Sequence, residues 1–106
     1  MANLAVDLEA LAAELGETVE SAVLGTHYNK QWDEKDTAPR GSPMTWVDAR
    51  PWLDEEYNDS YGGADCRPFV AWSQSWVFWV HEYDGATWLA KAPRNPAACT
   101  ADFSGT

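Results

Sequence analysis

The residues able to do chemistry in this chain are few and scattered. His27 and His81 are its histidines, and Cys66 and Cys99 its cysteines. A cysteine nucleophile needs a base within hydrogen-bond reach, and no local motif joins Cys66 to His81. Ser73 and Ser75 lack the Gly-x-Ser-x-Gly turn that presents a serine nucleophile. No CxxC or CxxH spacing occurs, so no zinc site is expected. The acids Asp54, Glu55, Glu56, Asp59 and Asp65 do not match a calcium-binding loop, although a pair such as Asp54 and Asp59 has the chemistry of a general acid and base. Gly62-Gly63 stands among acids that would repel phosphate. A lone histidine among strand aromatics, as His81 is, reads as a packed side chain. The sequence therefore predicts no catalytic residue, no metal and no cofactor.

Charge narrows the partners. Seventeen acids oppose seven lysines and arginines, for a net charge of −10. Such a field repels nucleic acid and anionic membranes, whose binding relies on cations that neutralise phosphate. Direct nucleic-acid binding is excluded on this ground. Three explanations of the acidity remain: a solvated surface that keeps the protein soluble, adaptation to a salt-rich habitat, or carboxylates spaced like phosphates that occupy a basic groove. No apolar run approaches the roughly 18–20 residues that span a bilayer. Residues 1–7 lack the basic start and apolar run of a signal peptide, so a cytoplasmic location is expected.

The elements that must position these side chains follow from periodicity. Over one domain of 106 residues, the spacing of Leu4, Leu8, Leu11, Leu15, Val19 and Ala22 predicts an amphipathic helix across 4–24. Asn3 is its expected N-cap and Gly25 its expected C-terminal stop. Gly16 is the weak point, where the segment could break. Residues 26–43 read as a loop, 44–50 as a short strand stopped by Pro51, and 54–65 as an acidic loop. Residues 67–92 read as an antiparallel meander, and 93–106 as a tail docked at most by Phe103. The Asp84-Gly85 turn sets the register of the last hairpin, with His81 opposite Trp88 and Val80 opposite Leu89. The fold class predicted is α+β: a helix packed on a small antiparallel sheet.

That meander has bulky groups on both faces. One face collects Phe69, Ala71, Trp76, Phe78, Val80, Leu89, Glu82, Thr87 and Lys91. The other collects Val70, Trp72, Val77, Trp79, His81, Tyr83, Trp88 and Ala90. The second carries no formal charge and is the expected core against the helix. The first is then a candidate binding surface, with Phe69, Trp76, Phe78 and Leu89 as its contact residues. Two other readings of the first face are that residues 41–66, with Trp46, Trp52 and Tyr57, fold over it, or that a second copy covers it as a homodimer. The functional expectation is a small acidic, non-enzymatic binding protein that acts through protein contacts, in one version an inhibitor seated in a basic nucleic-acid-binding groove. Alternatives are a small-ligand binder with Trp76 and Phe78 as stacking platforms, and a hydrolase-like enzyme using His81 with a nearby carboxylate.

Overall fold

A computed structural model describes residues 2–27, 36–57, 65–83 and 85–99. Helix α1 spans Leu4–Glu14, and the Asn3 side chain caps it by accepting the Val6 N–H at 3.0 Å. Gly16 decides what happens next. It takes φ +75°, the left-handed conformation that costs glycine nothing. The Glu17 N–H then closes on the Ala12 carbonyl at 3.0 Å and the Gly16 N–H on that of Ala13 at 2.9 Å. This pair of bonds satisfies the last carbonyls and stops the helix.

The predicted helix over 4–24 is thereby corrected. Its second half is extended, and strand β2 covers Ser21–Leu24. Val19 and Ala22 happen to continue the helical spacing of Leu4, Leu8, Leu11 and Leu15. In the strand, Ala22 and Leu24 point inward with a period of two.

The predicted strand at 44–50 is also corrected. Only Met44–Thr45 is extended, as β3, and α2 follows at Trp46–Leu53. Thr45 turns the chain by capping the Asp48 N–H at 3.3 Å. Pro51 sits inside α2 rather than stopping a strand. It leaves the Val47 carbonyl without an intrahelical donor. Val47 is 81% exposed, so that turn of the helix faces solvent.

Ala2–Asn3 (β1) and Glu56–Tyr57 (β4) form a two-stranded antiparallel sheet, which fastens the start of α1 to the segment after α2. Part of the predicted acidic loop is therefore strand. Phe69–Trp72 (β5), Trp76–Tyr83 (β6) and Ala86–Pro93 (β7) make the meander. The larger sheet has the order β3-β2-β5-β6-β7, with every neighbouring pair antiparallel. The register of β6 on β7 pairs His81 with Trp88 and Val80 with Leu89, as a two-residue turn requires. Asp84 of that turn, the Asp59 and Gly62-Gly63 part of the acidic loop, residues 28–35 and Phe103 lie outside the described residues.

Both helices and the small sheet cover one face of the larger sheet. Leu4, Ala5, Leu8 and Ala12 of α1, Ala49 and Leu53 of α2, and Tyr57 join Ala22, Leu24, Phe69, Ala71 and Phe78 in a single buried cluster. Ala22 and Ala71 are opposite each other at its centre. Their lack of bulk lets the helix leucines sit close to the sheet, and close packing is what makes burial favourable. The architecture is α+β: two helices on a five-stranded antiparallel sheet, with a second sheet of two strands. No helix among the described residues is long and apolar enough to cross a membrane.

Candidate functional site: the outer face of the sheet

With the helices on one side, the opposite side of the sheet is formed by alternate residues of four strands. β2 contributes Ser21 and Val23, β5 contributes Val70 and Trp72, and β6 contributes Val77, Trp79, His81 and Tyr83. β7 adds Ala86, Trp88, Ala90 and Ala92. Trp72 lies opposite Val77, Val70 opposite Trp79, and His81 opposite Trp88. The three tryptophans therefore step diagonally over β5, β6 and β7, where such neighbours sit about 7–8 Å apart. The His81 ring lies 4.8 Å from that of Trp88, tilted by 56°. Val70 is 37% exposed and Tyr83 70%, while Trp72, Val77, Trp79, His81 and Trp88 are half-buried. Among the described residues this face holds no Asp, Glu, Lys or Arg.

The two faces are thus exchanged relative to expectation. The uncharged face was the expected core and is the outer one. Phe69, Trp76, Phe78 and Leu89, the expected contact residues, do share a face, but helices cover it. Phe78 is wholly buried, Phe69 nearly so, and Trp76 and Leu89 pack against the core. Tyr57 is buried there, with Trp46 and Trp52 packed against it, so the chain's own middle segment covers that surface. The charges that argued against this face sit at its margins: Glu82 is exposed, and the Lys91 ammonium lies 5.6 Å from the centre of the Trp76 ring. Trp76 and Phe78 are consequently not open stacking platforms. The signal that separates the faces is volume, since Ala22 and Ala71 leave room for helices where Trp72 and Trp79 do not.

The residues with catalytic chemistry are dispersed. Cys66 is buried in the helix-side cluster, and burial, with the charges of Glu55 and Asp65, pushes its thiol up to about 12. It is a poor nucleophile in that state. His81 is across the sheet from it, and no described carboxylate shares His81's face. Cys66 and Cys99 are both free thiols. Among the described residues no group of histidines, cysteines and carboxylates could hold a metal ion.

The acids are largely occupied within the chain. Arg67 and Asp36 form a buried pair with bonds of 3.0 and 3.1 Å, and Arg67 also donates to the Gly25 carbonyl at 2.8 Å. Hydrogen bonds from Arg67 hold the Asp36 carboxyl well below the usual carboxylate range. Glu55 accepts the Arg67 N–H at 3.1 Å and meets the buried His27 ring at 2.9 Å. These contacts tie the loops at one end of β2 and β5 together. Nearer the other end, Glu9 binds Arg50 through two bonds of 3.0 Å and also accepts the Trp46 indole N–H, and Arg50 keeps its carboxyl low. Glu17 accepts the Ser73 hydroxyl at 2.5 Å and the Ser75 N–H at 2.9 Å, and the Ser73 bond lowers its pKa.

Three of the shallow grooves among the described residues lie between these elements. Two of them, of about 390 and 280 Å³, meet along Ala13, Glu17 and Thr18. The third, of about 210 Å³, lies at the rim of the outer face between Val23, Gly25, Pro68 and Val70. None is lined by His81. No family model matches this chain, and neither the curated proteins nor the solved structures give a match.

Proposed function

We propose that this chain is a non-enzymatic binding protein that acts through protein contacts made by the outer face of its sheet. One observation carries the reading: a sheet face of tryptophans, valines and a tyrosine, with no formal charge among its described residues, on a chain of net charge −10. Monomeric proteins seldom leave large contiguous apolar patches open, and Trp and Tyr concentrate binding energy where they do. The basic-groove version draws less support, because Asp36, Glu9, Glu17 and Asp54 are engaged within the chain. The hydrolase-like reading lacks a carboxylate on the face of His81 among the described residues.

A photo-crosslinking amino acid at position 70, on the outer face, and another at position 47, on the helix side, test the reading in cells. Adducts from position 70 and none from position 47 are expected. Adducts from position 47 alone would move the contact to the helices and end the proposal.

A further inference from the structure

Resting on that reading, we infer that the occupant of the outer face is a second copy of this chain, which meets the first sheet to sheet about a two-fold axis. Three observations bear on this occupant, and the first two favour a copy over a foreign protein. The first is charge. Two chains of −10 repel each other wherever carboxylates face one another. The outer face has none among its described residues, and the helices hold the acids of α1 and α2 on the far side of the sheet. At about 0.15 M salt the screening length is about 8 Å, short of that separation in a sheet with helices stacked about 10 Å away. This is therefore the surface on which two copies can meet at little electrostatic cost.

The second is shape. A two-fold contact must be complementary to itself, each projection finding a recess on the identical face. Tyr83 projects, 70% exposed, from the end of β6. The groove between Val23, Gly25, Pro68 and Val70 is a recess of about 210 Å³ at the rim of the same surface. The rest of the surface is one face of a sheet, and in aligned sheet packing the side chains of two such faces fill a layer about 10 Å thick.

The third is area. Four strands spaced about 4.8 Å apart, with four to eight residues each at about 3.4 Å, give a footprint of about 400 Å² per copy and about 800 Å² for the pair. That is below the size of a permanent dimer and fits a small, reversible contact. The dimer is accordingly weak and reversible.

Sedimentation equilibrium of the purified chain at low and high salt tests this, together with two variants. Trp79→Glu places a carboxylate at the middle of the face, and Tyr83→Glu places one on a residue already largely in water, so folding tolerates it. The expected result is a reversible dimer that tightens as salt rises, weakened at least tenfold by either substitution while the far-UV spectrum is unchanged. A dimer indifferent to both substitutions overturns the inference, since the contact then lies elsewhere. A chain that stays monomeric throughout also overturns it. In that case Val70→Cys in a Cys99→Ser background separates the two proposals through its rate of maleimide labelling. Rapid labelling of the folded monomer leaves the outer face open for a foreign protein and the binding reading intact. Protection of the folded monomer means the chain covers this face itself, and both proposals fall.

Discussion

Asp36→Asn removes one charge from the best-buried ion pair among the described residues, and its cost can be worked from the geometry. The Asp36 side chain is 1% exposed and that of Arg67 2%. Two guanidinium nitrogens and the Ala38 N–H all donate to this carboxylate. Deleting one member of such a pair leaves the other charge buried without a counter-charge, which costs about 3–5 kcal/mol. A domain of this size has about 5–15 kcal/mol in total, so the loss is a large share. Arg40, 3.8 Å from Asp36 and 43% exposed, is a second cation and supplies no replacement counter-charge. Arg67→Met should cost at least as much, because it also gives up the bond to the Gly25 carbonyl and the contact with the Trp52 ring, 5.9 Å away. The double variant Asp36→Leu/Arg67→Met leaves no buried charge and should recover much of the loss. Urea unfolding followed by circular dichroism reads all three values.

The same pair makes a pH prediction whose sign is definite. Arg67 depresses the folded-state pKa of Asp36, so on acidification the unfolded chain takes up this proton first. The stabilisation is complete above the ordinary carboxylate value of about 4 and is lost as the pH falls toward the lower folded value. The stability gap between wild type and Asp36→Asn should be level from neutral pH down to about pH 5 and narrow below about pH 4. A loss under about 1 kcal/mol at neutral pH, or a gap that does not narrow in acid, would refute the buried-pair argument.

Phe78→Ala should cost about 3–5 kcal/mol, and Trp79→Ala, the next residue on the opposite face, no more than about half of that in dilute monomeric protein; equal losses would contradict the assignment of the faces. Gly16→Ala should cost about 1–2 kcal/mol in chemical denaturation. Nothing lies within 4 Å of the added methyl group, so this loss is one of backbone conformation alone. Ser73→Ala should raise the pKa of Glu17, seen by NMR titration of its side chain, because the Ser73 hydroxyl is the main cause of its depression. Of the two thiols, only Cys99 should react with a thiol reagent in the native protein at neutral pH, and both should react in denaturant.

Much of the fold was legible in the sequence, for local reasons. Asn3 capping a leucine repeat, and a two-residue turn between aromatic runs, are signals contained within a few residues. The α+β class and the register of β6 on β7 follow from them. The end of α1 was less legible, because Val19 and Ala22 keep a helical spacing that only the left-handed Gly16 interrupts. The strand β2 that follows depends on a partner, β5, far along the chain. Likewise Thr45 reads as a strand residue until its hydroxyl is seen capping α2. The choice of core face was not legible from charge. Glu82 and Lys91 can reach solvent from the edge of a buried face, whereas nothing in a pattern of polarity reports that Ala22 and Ala71 leave room for two helices. Volume at facing positions carried that information.

The acidity and the aromatic face have a common reading. Each of the four arginines meets a carboxylate: Arg40 and Arg67 at Asp36, Arg50 at Glu9 and Asp54, and Arg94 at Glu20. With the arginines so engaged, the helix side presents a surplus of acid, including the exposed Glu14, Asp48 and Glu56. A surplus of one sign repels its like at a distance but cannot hold an apolar surface once it is met. The outer face has the opposite character, since burying it from water is favourable and its lack of charge gives no orientation from afar. Acid on the helix layer therefore supplies the selectivity that the tryptophans lack. In the proposed reading it repels anionic surfaces and discourages identical chains from meeting helix against helix. In the proposed dimer, contact is through the sheet, with the acids of both copies pointing outward and the rings of Trp72 and Trp79 covered.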